Sequence, residues 1–219
     1  MMNPELVIFD CDGVLVDSEI LANEVFAEAL KALGIRLTLE ETMKRFVGLN
    51  RKSMTESIES EFGVRIEEPF WDDLRHRTWK AFDGRLKAIP GVVDLVSRLS
   101  SKKCVASSSG PQSIKHSLSL VGLWERFTPH VYSAHQVENG KPAPDLFLYA
   151  AEQLKTAPSS CLVIEDSLAG VRAAKAAKMR VFGFVGGSHC PPGHADVLRR
   201  EGVERVFSNM KDVADILIA

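Results

Sequence analysis

Leu6-Val7-Ile8-Phe9-Asp10-Cys11-Asp12-Gly13-Val14 is the stretch of this 219-residue chain that decides its fold. Four apolar residues, too few for a helix, precede two acids and a glycine, which is the pattern of a buried strand that ends in a turn. Ligands of open α/β sheets bind beyond the carboxyl ends of strands, so Asp10 and Asp12 are placed to react. An Asp-Gly step between apolar runs is also typical of a β-hairpin, and both interpretations stay open at this point.

A single residue separates Asp10 from Asp12, and carboxylates this close to each other repel. Unless a positive group lies between them, one acid must hold its proton or both must face water. A hard cation such as Mg²⁺ resolves the conflict because it prefers oxygen ligands. The acidic pair therefore raises the hypothesis of a metal site, which the rest of the chain has to support.

The composition is that of an ordinary globular protein, with 45% hydrophobic residues, 26% charged residues and a net charge of −2. This balance indicates no basic surface for nucleic acid or an anionic membrane. The N-terminus lacks the pattern of a signal peptide, and no apolar run is long enough to span a bilayer. The four cysteines include no Cys-x-x-Cys pair, so neither a zinc site nor a disulfide scaffold is expected. We expect a cytoplasmic protein without nucleic-acid or membrane partners.

Residues 18–82 carry helical patterns without a convincing strand. An apolar stripe begins at Ser18 and is closed by Gly34, and Thr38-Leu39-Glu40-Glu41 fits a capping box that begins a second helix. Asn50 is placed to cap a third helix. The fourth helix is indicated by its large apolar residues, which are Phe70, Trp71, Leu74 and Phe82. Together these segments predict a small helical bundle.

From about residue 87 the chain alternates between strand and helix patterns. Pro90 suits the first turn of a helix. Strand candidates follow at Cys104–Ser107, Val131–Ser133, Cys161–Ile164 and Val181–Val185. Such alternation implies right-handed crossovers and a mainly parallel sheet. The expected fold class is α/β, with a Rossmann-like core from residues 1–16 and 87–219 and a small helical domain, residues 17–86, inserted after the first strand.

Three further motifs follow later strands of the predicted sheet. Ser107-Ser108-Ser109-Gly110 offers hydroxyls and backbone N–H groups that can hold phosphate oxygens, although such a loop also fits an ordinary helix cap. Pro142 restricts Lys141 to a rigid loop, where its ammonium is a counter-charge for a phosphate or a carboxylate. Glu165-Asp166 is a second acidic pair, which a turn can bring toward one ion or use as a helix cap.

Asp10-x-Asp12, the Ser107 loop, Lys141-Pro142 and Glu165-Asp166 resemble, in order, the four motifs of the haloacid dehalogenase superfamily. The resemblance covers nearly the whole chain and implies that the inserted helices form a cap over the active site. Further segments are similar to the β-phosphoglucomutase-like subfamily, which includes many small phosphatases such as phosphoglycolate phosphatase-like proteins. These segments are Asp17-Ser18-Glu19, Pro90-Gly91, Gly140-Lys141-Pro142-Ala143-Pro144-Asp145 and Ser167-Leu168-Ala169-Gly170-Val171.

The resemblance implies a Mg²⁺-dependent phosphatase, a phosphoric monoester hydrolase, that acts on a small phosphorylated metabolite such as a sugar or sugar-acid phosphate. Asp10 would attack phosphorus to form an aspartyl-phosphate. Asp12 would protonate the leaving oxygen and then deprotonate the attacking water. Mg²⁺ would bind Asp10, the backbone carbonyl of Asp12 and Asp166, with help from Glu165.

The same resemblance assigns the remaining predicted site residues. Ser107 and Lys141 are expected to hold phosphoryl oxygens, and Ser108 lies beside them in the loop. Gly48-Leu49-Asn50-Arg51 resembles the family's specificity loop, so its glycine and its arginine are expected to contact the substrate. Arg51 is suited to a second anionic group, such as a carboxylate or a phosphate. The alternative for Arg51 is a solvated side chain in the first turn of a helix.

Two other functions are compatible with parts of this pattern. A phosphosugar mutase of the same subfamily returns the phosphoryl group to another hydroxyl, and that branch typically carries a histidine on the first cap helix. Ala22 stands where that histidine is expected, which favours hydrolysis. A phosphoacceptor signalling domain also places acids, a hydroxyl and a lysine at strand ends, but it is much shorter and has no inserted bundle. A monomer is expected because an inserted cap needs no partner subunit.

One irregular loop, Gly186 to Gly193, interrupts the pattern of the C-terminal half. His189, Cys190 and His194 lie in it or next to it and carry metal-ligating side chains. Their mixed spacing on a segment rich in proline and glycine favours a loop conformation over a metal site.

Overall fold

A computed structural model of the chain describes residues 4–49 and 51–218. Two compact units are present, one made of the residues up to Asp17 together with those from Lys87 onward, and the other made of Ser18–Leu86. The backbone N–H of Asp17 donates to the carbonyl of Lys87 at 2.9 Å. The chain therefore leaves and re-enters the first unit at adjacent points.

Within the described residues, the first unit is built on six parallel strands. They are β1 Leu6–Phe9, β2 Lys102–Ser107, β3 Val131–Ser133, β4 Cys161–Glu165, β5 Arg180–Phe184 and β6 Arg205–Phe207. Their order in the sheet is β3-β2-β1-β4-β5-β6, so the winding direction changes at β1. Phe9 pairs with Val105 on one side and with Ile164 on the other. All of β1 is buried, as is typical of the central strand of a parallel sheet.

The second unit contains four helices in the part of the chain that the structure describes. They are α1 Glu19–Ala32, α2 Leu39–Phe46, α3 Arg51–Phe62 and α4 Glu68–Phe82. Thr38 caps α2 as predicted, because its hydroxyl accepts from the backbone N–H of Glu41, whose carboxylate accepts from the backbone N–H of Thr38. The predicted cap at Asn50 lies outside the described residues. The core of this unit joins Phe26, Leu30, Phe46, Ile58 and Trp71.

Most helices of the first unit lie between consecutive strands, as the alternating pattern predicts, whereas its first helix follows the inserted unit and its last helix follows β6. They are α5 Val92–Arg98, α6 Pro111–Leu120, α7 Trp124–Phe127, α8 Asp145–Gln153, α9 Leu168–Ala176, α10 His194–Glu201 and α11 Met210–Leu217. Phe147 of α8 and Val171 of α9 pack with Ile8 and Val163 in one buried cluster. These two helices therefore cover the middle strands, whose carboxyl ends carry the predicted site.

Three details of the fold differ from the sequence predictions or decide between two alternatives that the sequence left open. Pro90 precedes α5 and is not in its first turn, because Gly91 adopts the left-handed region at φ 85° and the helix begins only after it. Strand β6 was not predicted, since its three residues at the edge of the sheet begin with an exposed arginine and only Phe207 is buried. The hairpin after β1 does not form. Instead, the backbone N–H groups of Gly13 and Val16 donate to the carbonyls of Val16 and Cys11, which closes a tight turn.

The four cysteines are free thiols, of which Cys11, Cys104 and Cys161 are buried. Such burial is typical of free cysteines, which pack as small core side chains. None of the described helices combines the length and the apolar character that a membrane span needs.

The junction between β4 and α9 shows why a serine and a glycine follow the second acidic pair. Ser167, not Asp166, caps α9: its Oγ accepts from the backbone N–H of Gly170 at 3.0 Å. The same hydroxyl donates to the carboxylate of Glu165. A Cβ on Gly170 would lie 1.7 Å from Oε1 of Glu165, so only glycine leaves space for this acid against the helix.

We expect the substitution Gly170→Ala to lower the free energy of unfolding by about 1–3 kcal/mol, because the added methyl group overlaps the Glu165 carboxylate. In the background Glu165→Ala the overlap is gone, and alanine is the better helix former by about 1 kcal/mol. The same substitution should then be neutral or stabilising. Urea denaturation of the wild type, the two single variants and the double variant measures the coupling free energy between the two positions. An equal loss in both backgrounds would contradict the steric explanation.

Candidate active site

Asp10 and Lys141 form a buried ion pair at the carboxyl end of β1. The backbone N–H of Asp10 donates to the carbonyl of Ile164 at 3.0 Å, which extends the pairing with β4 by one residue. Lys141 comes from the segment between β3 and α8, and its Nζ lies 2.6 Å from Oδ1 of Asp10. The ammonium also lies 4.9 Å from the ring centre of Phe147, which shields it from water. The predicted rigid lysine is therefore held against the predicted nucleophile.

Glu165 is a second acid that lies close to the Lys141 ammonium. Oε2 of Glu165 lies 3.5 Å from Nζ of Lys141, and among the described residues this oxygen accepts no hydrogen bond. Asp166 follows directly and is buried as well. One carboxylate oxygen from each of Asp10, Glu165 and Asp166 lies within 4.8 Å of the other two. The structure thus brings together the acids that were predicted from two separate motifs.

Burial and the closeness of charged groups shift the pKa values in this cluster. Burial raises the pKa of Asp10 well above its usual range, and the Glu165 carboxylate raises it further against the opposing effect of Lys141. Burial also raises the pKa of Glu165, to about 7. Burial alone would lower the pKa of Lys141, but the carboxylates of Asp10 and Glu165 hold it above its ordinary value. The Lys141 ammonium is therefore shared by the carboxyl groups of Asp10 and Glu165.

The residues present fit a divalent cation. Buried carboxylate oxygens in close proximity are the donors that a hard cation prefers. Such an ion removes the repulsion that raises the pKa values of Asp10 and Glu165. Asp12 was expected to contribute only its backbone carbonyl, and its carboxylate is not part of this group.

The serine loop after β2 contacts Asp12. Ser109 donates its hydroxyl to Oδ2 of Asp12 at 2.8 Å, whereas Oγ of Ser107 lies at 3.4 Å from the same oxygen. Ser107 is buried and accepts from the backbone N–H of Ser109 at 3.0 Å, while Ser108 is exposed. Ser133 at the end of β3 fixes the loop by donating to the carbonyl of Ser109. Sequence reasoning missed the contact of Ser109, since nothing in a run of three serines shows which hydroxyl faces the acid.

Two histidines contact Asp166, which the sequence analysis did not foresee. Nε2 of His189 lies 2.8 Å from Oδ2 of Asp166, and Nε2 of His194 lies 2.6 Å from its backbone carbonyl oxygen. Burial alone would lower the pKa of His189, but the hydrogen bond with Asp166 raises it to about 11. The only available signal was the presence of two histidines in one glycine-rich loop, and that signal did not identify their partner.

The predicted specificity residues lie in the helical unit. Arg51 begins α3, forms an ion pair with Glu68 and lies 5.2 Å from the ring centre of Trp71. These three residues help to line an open groove of about 540 Å³ within that unit. Gly48 has a φ of 82°, a conformation that favours glycine. The roles of Arg51, Gly48 and Ser108 in binding substrate stay predictions.

Comparison with known proteins agrees with the motifs. Residues 7–184 match the family model of the haloacid dehalogenase-like hydrolases. The 6-phosphogluconate phosphatase of Escherichia coli is 31% identical over 193 residues, which cover 88% of this chain and 87% of that protein. The phosphorylated carbohydrates phosphatase of Thermotoga maritima is 32% identical over 189 residues, which cover 83% of this chain and 85% of that protein.

A solved structure extends the similarity to the fold. The crystal structure of a conserved haloacid dehalogenase-like protein from Agrobacterium tumefaciens superposes with a TM-score of 0.84 at 39% identity and covers 97% of both chains. Sequence motifs, family match and fold agree over most of the chain. The chain therefore belongs to the haloacid dehalogenase-like hydrolase family, and its enzyme class is that of a phosphoric monoester hydrolase.

Proposed function

We propose that this chain is a Mg²⁺-dependent phosphatase that hydrolyses a sugar phosphate or a sugar-acid phosphate through an aspartyl-phosphate. The observation that carries the proposal is the buried cluster in which Lys141 and the acids Asp10, Glu165 and Asp166 meet at the carboxyl ends of β1 and β4. The substrate class is supported by relatives named for 6-phosphogluconate and for phosphorylated carbohydrates.

Asp10 is the nucleophile of the proposed reaction. Attack on phosphorus requires an ionised carboxylate. Burial opposes ionisation of Asp10, and the contact of 2.6 Å with the Lys141 ammonium favours it. The bond that forms joins a carboxylate oxygen to phosphorus, and the bond that breaks releases the substrate's alcohol oxygen. Lys141 and Ser107 are expected to hold the oxygens of the transferred group.

Asp12 is the acid and base of the proposed reaction. It stands two residues after Asp10, beyond the end of β1, and is only partly buried, so it can exchange a proton with a substrate or with water. The hydrogen bond from Ser109 to Oδ2 orients this carboxyl group. Asp12 gives a proton to the leaving alcohol and then takes one from the water that hydrolyses the aspartyl-phosphate.

The divalent cation of this proposal is Mg²⁺. It would be held by Asp10, Asp166 and the backbone carbonyl of Asp12, and Glu165 would support the site from its place beside Ser167 and Lys141. When bound, Mg²⁺ supplies charge neutralisation for phosphoryl transfer. The carboxylates contribute the oxygen donors, and Lys141 limits their mutual repulsion.

The proposal extends to the arrangement around the site. We assign Ser18–Leu86 as the cap and the remainder as the catalytic core, with Gly48 and Arg51 in substrate recognition.

Hydrolysis is favoured over phosphoryl return because Ala22, on α1, has no side chain that can act as an acid or a base. Free cysteine thiols support a reducing compartment such as the cytoplasm, and the chain is proposed to act as a monomer.

We expect Asp10→Asn to reduce phosphate release on the order of a thousandfold or more, because an amide cannot attack phosphorus. Release from 6-phosphogluconate and from hexose phosphates is followed with Mg²⁺ and with a chelator. Asp94→Asn, an exposed change on α5, is the matched control and should keep full activity. Comparable turnover of Asp10→Asn and wild type would remove Asp10 from its role, and full activity in chelator would remove the metal.

The raised pKa of Glu165 predicts how the metal-free protein responds to pH. Since its folded-state pKa of about 7 exceeds the ordinary value of 4.5, the native state binds more protons than the unfolded state between these values. The free energy of unfolding should therefore fall as pH rises from 4.5 to 7. Glu165→Gln should flatten this slope in chelator, as measured by urea denaturation across the range. Parallel pH profiles for variant and wild type would contradict the assignment.

A further inference from the structure

The loop from Gly186 to Gly193, which connects β5 to α10, is tied to the acidic site although the proposed reaction gives it no role. Ser188 donates its backbone N–H and its hydroxyl to Oδ1 of Asp17, at 3.0 Å and 2.8 Å. His189 contacts the side chain of Asp166, and His194, the first residue of α10, contacts the backbone carbonyl of Asp166. The loop is therefore fixed to the segment after β1 and to the end of β4.

The imidazole of His189 lies in a space that two glycines leave open. A Cβ on Gly13 would lie 2.7 Å from Cε1 of His189 and 2.0 Å from Oδ2 of Asp166. A Cβ on Gly187 would lie 2.7 Å from both Cε1 and Nδ1 of the same ring. The turn after β1 and the loop after β5 thus close around one pair of side chains, each of which is only 6% exposed.

The hydrogen-bond pattern defines the role of this ring. Nδ1 of His189 is buried and has no hydrogen-bond partner among the residues described, so Nε2 makes the ring's contact with the carboxylate. Nε2 carries a proton in the imidazolium form and in the tautomer that this contact selects. In both forms the ring donates to Oδ2 of Asp166, which at 2.8 Å is a closer partner of Nε2 than Sγ of Cys190 at 3.5 Å, and the second carboxylate oxygen is left for another partner.

We propose that His189 is a positioning residue for Asp166: its Nε2–H holds Oδ2 so that the other oxygen is directed to the divalent cation. The inference rests on the proposed function, which places Asp166 among the ligands of that cation. Partners of metal-ligating side chains orient the ligand and set its affinity. His194 adds a second constraint because it holds the backbone of the same residue.

The test compares His189→Gln with His189→Leu. Glutamine offers an N–H donor at nearly the reach of Nε2, whereas leucine occupies a similar volume without a donor. Isothermal titration of the full chain with Mg²⁺ alone, free of phosphate, measures the dissociation constant. We expect His189→Leu to weaken Mg²⁺ binding by about tenfold to a hundredfold and His189→Gln to stay within about threefold of wild type. His116→Leu, the same change on α6, should leave the constant unchanged.

A second readout separates positioning from a general loss of structure. The Mg²⁺ concentration that gives half-maximal activity should rise in His189→Leu, while kcat at saturating Mg²⁺ and the KM for substrate stay near wild type. Gly187→Ala displaces the ring without changing it. It should weaken Mg²⁺ binding in the same direction, and it decides the question if the leucine variant does not fold.

Several outcomes would overturn the inference. If His189→Leu binds Mg²⁺ as tightly as wild type, the contact does not position Asp166. If it binds more tightly, the imidazole competes with the cation. If glutamine fails as leucine does, the donor is not what matters. A wild-type protein that hydrolyses phosphate esters without binding Mg²⁺ would instead refute the metal in the proposed function and leave the pairing of His189 with Asp166 without this role.

Discussion

The mutual repulsion of buried carboxyl groups is the constraint on which the rest of this structure depends. Asp10, Glu165 and Asp166 meet in a volume from which water is largely excluded, with Lys141 beside Asp10 and Glu165 and His189 beside Asp166. Burying charge without compensation is expensive, so this arrangement persists only if protons or a cation complete the balance. Burial raises the pKa values of Asp10 and Glu165, and the neighbouring carboxylates raise them further. A site that requires positive charge is well suited to bind a cation together with a phosphate ester.

The fold supplies this cluster by bringing the carboxyl ends of neighbouring parallel strands to one edge. β1 lies between β2 and β4, so its terminal acids lie beside the serine loop on one side and the second acidic pair on the other. Gly13 and Gly170 have no side chain because acids occupy the space where a Cβ would lie. Ser167 both caps α9 and contacts Glu165, so one residue serves the helix and the site. At Gly13, Gly170 and Ser167, the packing of the chain and the placement of the acids therefore depend on the same residues.

Membership of the haloacid dehalogenase-like hydrolases indicates which chemistry this geometry serves. Contacts that the motifs alone do not specify complete the description of the site. Ser109 orients Asp12, and the loop that carries His189 contacts Asp166 from the side of β5. Ser109 belongs to the serine loop of the motifs, which did not specify its contact, whereas His189 lies outside all four motifs. A carboxylate that is held by a fixed donor presents its free oxygen in one direction, which is what a cation site requires.

Much of the fold and of the site was determined by the sequence itself, because the signals act over a few residues. The cap of α2 at Thr38, the central strands and the convergence of strand-end acids all follow from local patterns and from the rule that parallel strands end at a common edge. Only the tertiary structure decided which serine contacts Asp12, what binds Asp166 and where β6 pairs. Ser109 and Asp12 are 97 positions apart, and His194 and Asp166 are 28 apart. Such contacts depend on the directions of side chains after packing, which spacing along the chain does not specify.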